Sequence, residues 1–172
     1  MTLDSAIGAR SLSGKLFRMA TGDAGHFDIR EWGGQHGPST RWSWRLITAA
    51  GQTAAVCGRD FDTEEDAEAA IDGLRRHVGQ SPSRIAAANE GYGSGSGFTI
   101  SGVGPLWSWW LAIDGKVVAH SPGSYDSRAD AEAIVEWVRK HAPAVPIRVA
   151  EAPPGEKGHP RHGRRWTGQS GA

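Results

Sequence analysis

Asp66-Ala67-Glu68-Ala69 returns unchanged as Asp130-Ala131-Glu132-Ala133. Outward from that tetrapeptide the two halves of the chain keep step. Gly51 matches Gly115, Ala55 matches Ala119, and Phe61-Asp62-Thr63 matches Tyr125-Asp126-Ser127. Arg75, His77, Pro82 and Arg84 match Arg139, His141, Pro146 and Arg148. Upstream, Trp42-Ser43-Trp44-Arg45-Leu46 resembles Trp107-Ser108-Trp109-Trp110-Leu111, and Phe27-Asp28-Ile29 resembles Phe98-Thr99-Ile100. Agreement that runs through apolar, turn and charged positions alike is a repeat rather than shared composition. The chain therefore divides into a first unit at 25–88 and a second at 98–151, joined by a Gly/Ser-rich linker at 89–97. Outside them lie an N-terminal arm at 1–24, expected to be poorly ordered, and a basic tail at 152–172, expected to be disordered.

Within a unit, a short strand at Phe27 or Phe98 comes first. The first hairpin loop, Arg30 to Arg41, is longer than its counterpart. Trp42, Trp44 and Leu46, like Trp107, Trp109, Leu111 and Ile113, recur at period two and so share one face of a strand. Arg45 and Trp110 point the other way. Turns follow at Ala50-Gly51 and at Asp114-Gly115, the latter a pair suited to a two-residue hairpin. Third strands are expected at Thr53–Cys57 and Val117–Ser121. Thr63 and Ser127 each stand three residues before an Asp, the spacing of a capping box. Helices follow, with Ala67, Ala70, Ile71, Leu74 and Val78 on one stripe and Ala131, Ile134, Val135, Val138 and Ala142 on the other. Beyond Pro82 and Pro146, final strands are expected at Arg84–Ala87 and Arg148–Glu151. The fold class is α+β, two tandem β-β-β-α-β units with a helix covering one face of the sheet.

This pattern resembles the YegP-like family of small bacterial and archaeal proteins. The resemblance is carried by Trp107-Ser108-Trp109-Trp110-Leu111, Asp114-Gly115, Ala119-His120-Ser121, Tyr125 and the helix from Ser127, and it spans most of 27–151. The first unit departs from it at Ala50 and at Cys57-Gly58. The resemblance implies that two units build one antiparallel-rich sheet, with two helices on one face and their last strands exchanged. It implies no defined activity.

Composition narrows the function classes. The 19 basic residues balance 19 acidic ones, which argues against a dedicated polyanion-binding domain while leaving room for a local basic patch. The one cysteine, Cys57, cannot form an internal disulfide, so nothing points to secretion. No apolar run approaches the ~20 residues of a membrane helix, and Arg10, Lys15 and Arg18 lack the apolar stretch of a signal peptide. A cytoplasmic protein is expected.

No residue set carries a catalytic, cofactor or metal signature. Trp42, Trp44, Trp107 and Trp109 read as core. His77 and His141 stand at helix C-termini, where a cation suits the dipole. His120 adjoins Ser121 with no carboxylate placed to complete a triad. His159 and His162 lack a partner that would orient them toward a metal shared with His26 or His36. Cys57 reads as a small buried apolar residue, and the glycines from Gly91 to Gly97 precede no Lys and open no helix. The expected function is a non-enzymatic binding module of unidentified partner, acting as a monomer with an internal pseudo-twofold. Its surface is placed around Arg45 and an exposed Trp110. The alternative is a weak non-specific nucleic-acid binder using the helix-end cations and the tail residues Arg161, Arg164, Arg165 and Trp166.

Overall fold

A computed structural model of the chain describes residues 25–33, 40–86 and 96–150. The N-terminal arm, most of the linker and the basic tail lie outside the described residues. The succession β-β-β-α-β occurs twice: β1 (His26–Gly33), β2 (Thr40–Ile47), β3 (Thr53–Cys57), α1 (Glu64–Val78) and β4 (Ser83–Ile85), then β5 (Gly97–Val103), β6 (Leu106–Ile113), β7 (Lys116–His120), α2 (Arg128–His141) and β8 (Ile147–Val149). All eight strands form one sheet in the order β4-β5-β6-β7-β3-β2-β1-β8.

That order places each unit's last strand beside the other unit's first. β4 runs parallel to β5 and β8 runs parallel to β1, whereas every other neighbour is antiparallel. The exchange expected from the resemblance is thus present. The units meet directly at β3 and β7, where only Val56↔His120 and Cys57↔Ala119 pair. At that seam Gly58 passes so near β7 that a Cβ would sit 2.2 Å from the Val117 carbonyl oxygen. Glycine is what lets the backbones close there.

Both helices lie on one face. α1 packs on β1 and β2, and α2 packs on β5 and β6 and reaches β3. Their apolar stripes meet Phe27, Ile29, Trp44 and Leu46 on one side and Phe98, Ile100, Trp109 and Leu111 on the other, in one continuous core. Phe27 stands edge-on to Trp44 at 5.5 Å, and Phe98 to Trp109 at 5.7 Å. Each helix starts as its sequence requires: the Thr63 and Ser127 hydroxyls accept from the backbone N–H of Asp66 and Asp130, both at 3.1 Å.

Several expectations shift. β1 runs eight residues, so Arg30 to Gly33 and Thr40-Arg41 are paired strand rather than hairpin loop. The alternation Asp28, Arg30, Trp32 against Ile29 and Glu31 continues past the last core residue, and the ladder continues with it. β5 starts at Gly97, inside the expected linker, and Ser96 already accepts from the Asp114 N–H at 2.9 Å. The final strands are three residues each and begin one residue early, at Ser83 and Ile147. The two hairpin turns differ as the sequences do. Asp114 and Gly115 both have positive φ, a two-residue turn, whereas the first unit uses Ala49-Ala50-Gly51 with only Gly51 at positive φ.

Candidate functional site

The face of the sheet away from the helices carries a single row of side chains in register across all eight strands. From one edge to the other it reads Arg148, Asp28, Arg45, Val56, His120, Trp110, Thr99 and Arg84. The row is pseudo-symmetric about the β3–β7 seam in position but not in chemistry. The half around β1 and β2 carries a charged cluster, to which the second unit's exchanged strand adds Arg148, whereas the half around β5 and β6 carries hydroxyl and aromatic groups, with the first unit's Arg84 at its edge.

Asp28 organises the charged half. It is 6% exposed, and its Oδ2 accepts from Arg30 Nε at 2.7 Å and from Arg45 Nε at 2.8 Å. A carboxylate so buried needs such partners, and it fixes two long side chains that would otherwise move freely. Arg148 lies opposite Asp28 on β8 and His26 precedes it on β1. His26 is held below its usual 6.5, first by burial and then by Arg148, with Asp28 opposing and Arg45 adding. Two arginines thus act on this imidazole against one carboxylate, after burial itself. Further along β1, Trp32 projects from this same face beside Arg41 and is 47% exposed. Arg41 is paired with Asp62.

Arg45 and Trp110, both expected at the site, do share this row, separated by Val56 and His120. Trp110 is not on the surface, however. It is 5% exposed, because β6 is an interior strand with Thr99 on one side and His120 on the other. It belongs to the sheet's filling rather than to an open platform. Among the described residues the exposed tryptophan is Trp32, missed because Arg30 to Arg41 reads as a loop when β1 is ended at Ile29. The alternation Asp28, Arg30, Trp32 was the available signal.

The helix-end arginines are occupied. Arg75 Nη2 donates to the Val145 carbonyl at 2.5 Å and stacks over Phe27. Arg139 Nη2 donates to the Ser81 carbonyl at 3.0 Å and to the Ser83 hydroxyl, and its guanidinium stacks over Phe98. Each thus grips the chain entering the exchanged strand. His77 turns its ring to the Gly73 carbonyl at 2.8 Å. His120 bonds the Ser121 main-chain oxygen, while the Ser121 hydroxyl accepts from the Trp109 N–H. Imidazole and hydroxyl are thus engaged separately. Among the described residues no group of three His, Cys, Asp or Glu is placed to hold a metal. Arg161, Arg164, Arg165 and Trp166 lie outside the described residues. A cleft of about 380 Å³ opens under the β4 edge beside α2, floored by Ile100 and Val135 and rimmed by Arg128, Glu132 and Glu136. Arg128 and Glu132 pair across its rim at 2.8 Å, so its charge is largely self-neutralised.

The sequence matches no protein-family model and no curated protein. Two solution NMR structures are similar in fold. One is a protein of unknown function, YegP from E. coli, with 14% identity and a TM-score of 0.50 over 74% of this chain and 93% of that one. The other is a UPF0339 protein from Shewanella oneidensis, with 11% identity and a TM-score of 0.53 over 73% of this chain and 91% of that one. The fold is YegP-like. At these identities the likeness speaks for the fold alone, and both YegP-like neighbours are matched over nearly their whole length. The function of this YegP-like chain is unknown, and the distinctive features of its own outer face are what remain to reason from.

Proposed function

We propose that this protein is a non-enzymatic binding module whose working surface is the outer face of the first unit, and that its partner is anionic. The observation that carries this is the Asp28 cluster. One buried carboxylate holds Arg30 and Arg45 in place next to Arg148, on a face that neither helix covers. Three guanidinium groups against one carboxylate leave an excess of positive charge. Because the arginines are already ordered, less side-chain entropy is lost when a ligand is bound. Of the helix-end cations that the alternative uses, Arg75 and Arg139 are committed to the exchanged strands, whereas Arg76 and Lys140 stay exposed and its tail residues lie outside the described residues.

On this reading the protein acts as a monomer in the cytoplasm. Both strand exchanges are satisfied within one chain, so no second copy is needed to complete either unit. Among the described residues no helix is long and apolar enough to cross a membrane. Cys57 is half-buried, with its thiol pushed up first by burial, which suits an unreactive packing role.

Isotope-labelled protein titrated with a sulfated oligosaccharide, an acidic peptide and an oligonucleotide tests the proposal. Amide shifts should concentrate on His26–Trp32, Ser43–Ile47 and Ile147–Val149 for at least one of these probes. Perturbation confined to the helical layer, or none with any probe at low salt, would overturn it.

A further inference from the structure

We infer that the outer face of the first unit is a binding surface for single-stranded nucleic acid, with Trp32 as the stacking platform and Arg30, Arg45 and Arg148 as the phosphate contacts. This deepens the reading of the anion-binding face and rests on it.

The geometry begins with register. β1 pairs with β2 from His26 to Gly33 without a shift, so Asp28, Arg30 and Trp32 must stand on one side of the sheet. Trp32 is the most exposed of the described tryptophans, whereas Trp44, Trp109, Trp110 and Trp137 are buried. An indole left in water next to fixed cations is what a base stacks on. Asp28 engages both Arg30 and Arg45 through Nε. Of the five guanidinium donors, the four on the terminal nitrogens can then turn outward toward phosphate oxygens.

Shape decides between single and double strands. The face belongs to a sheet of eight strands, which at a spacing of ~4.8 Å is roughly 34 Å across. A B-DNA major groove of about 12 Å admits a helix or a two-stranded ribbon, not such a face. In a duplex the bases are also stacked on one another and cannot reach an indole, whereas an unpaired base can. Among the described residues the second half of the face keeps only Arg84, the counterpart of Arg148. The positions equivalent to Asp28, Arg30, Trp32 and Arg45 in the second unit are Thr99, Ser101, Val103 and Trp110, none of them charged.

The test uses the full chain and fluorescence anisotropy with a labelled thymidine oligonucleotide and a duplex of equal length, each at low and at near-physiological salt. The single strand should bind more tightly than the duplex. Trp32→Ala should weaken it roughly tenfold or more, and Trp32→Phe should retain most of the affinity. Arg148→Gln should weaken it and lower the salt slope by about 0.7. Both positions are exposed, and melting curves matching the parent would confirm intact folds. A loss of binding in Trp32→Phe equal to that in Trp32→Ala would overturn the stacking role. Unchanged binding in both Trp32→Ala and Arg148→Gln, or tighter binding of the duplex, would overturn the inference. If the oligonucleotide fails to bind at low salt while a sulfated oligosaccharide or acidic peptide shifts the Arg30 and Arg45 amides, this inference falls and the anionic-partner reading stands. If no polyanion shifts them, both fall.

Discussion

Asp28 shows how much one residue can organise. Its position between Phe27 and Ile29 puts it on the face opposite the core, yet it is buried there on an interior strand, with Arg30 and Arg45 bonded to it. Asp28→Asn keeps the shape and removes the charge. The expected loss is about 1–2 kcal/mol in urea denaturation, discounted because Arg30 and Arg45 are partly in solvent. Two histidines give a pH signature of their own. His26 and His141 are both held below 6.5, each first by burial, with Arg148 next for His26 and Lys140 for His141. The unfolded chain therefore takes up protons first as pH falls. Stability from these groups is fully present above 6.5 and is lost as pH drops below it, so melting temperature should decline from pH 7 toward 5. In the alkaline range, burial pushes the Tyr125 phenol up to about 12, slightly offset by the neighbouring Trp109 N–H. At this scale the sequence revealed that Arg45 and Trp110 oppose the core. It could not reveal that Trp110 is buried, because burial on an interior strand depends on how the side chains of the flanking strands, here Thr99 and His120, close over it.

The helices were the most legible elements. Their capping hydroxyls and apolar stripes are local signals, and Leu74 and Val138 sit in the core as the stripes require. Leu74→Ala and Val138→Ala should each cost about 1–4 kcal/mol through lost burial and a residual cavity, measured by chemical denaturation. The edge strands were harder to read. β4 and β8 have only three residues each, and most of their side chains face solvent, so they carry almost no hydrophobic period. What holds them is partly remote: Arg139 from α2 on the approach to β4, and Arg75 from α1 on the approach to β8. Arg75→Ala should therefore speed amide exchange at Ile147–Val149 while leaving β4 protected, and Arg139→Ala should do the reverse. Equal loosening at both edges would mean that the arginines act only through global stability.

For the whole molecule, the repeat in the sequence translates into a sheet in which neither unit is complete by itself. The direct joint at β3 and β7 is two residue pairs long, and Gly58 is needed for even that approach. The exchanged strands supply the rest, with the Pro146 carbonyl bonded to the Phe27 N–H and the Pro82 carbonyl to the Phe98 N–H. Gathering all eight strands into one sheet leaves a continuous outer face, and the first unit's half of it bears the charged cluster. That consequence could not be read from either unit alone. If each unit depends on the other's last strand, residues 25–88 produced alone should not fold as a monomer. Sedimentation velocity combined with thermal melting of that fragment is the most direct test. The expected result is either an unfolded chain or a folded dimer, in which each copy completes the other. A folded monomer melting near the temperature of the full chain would contradict the account.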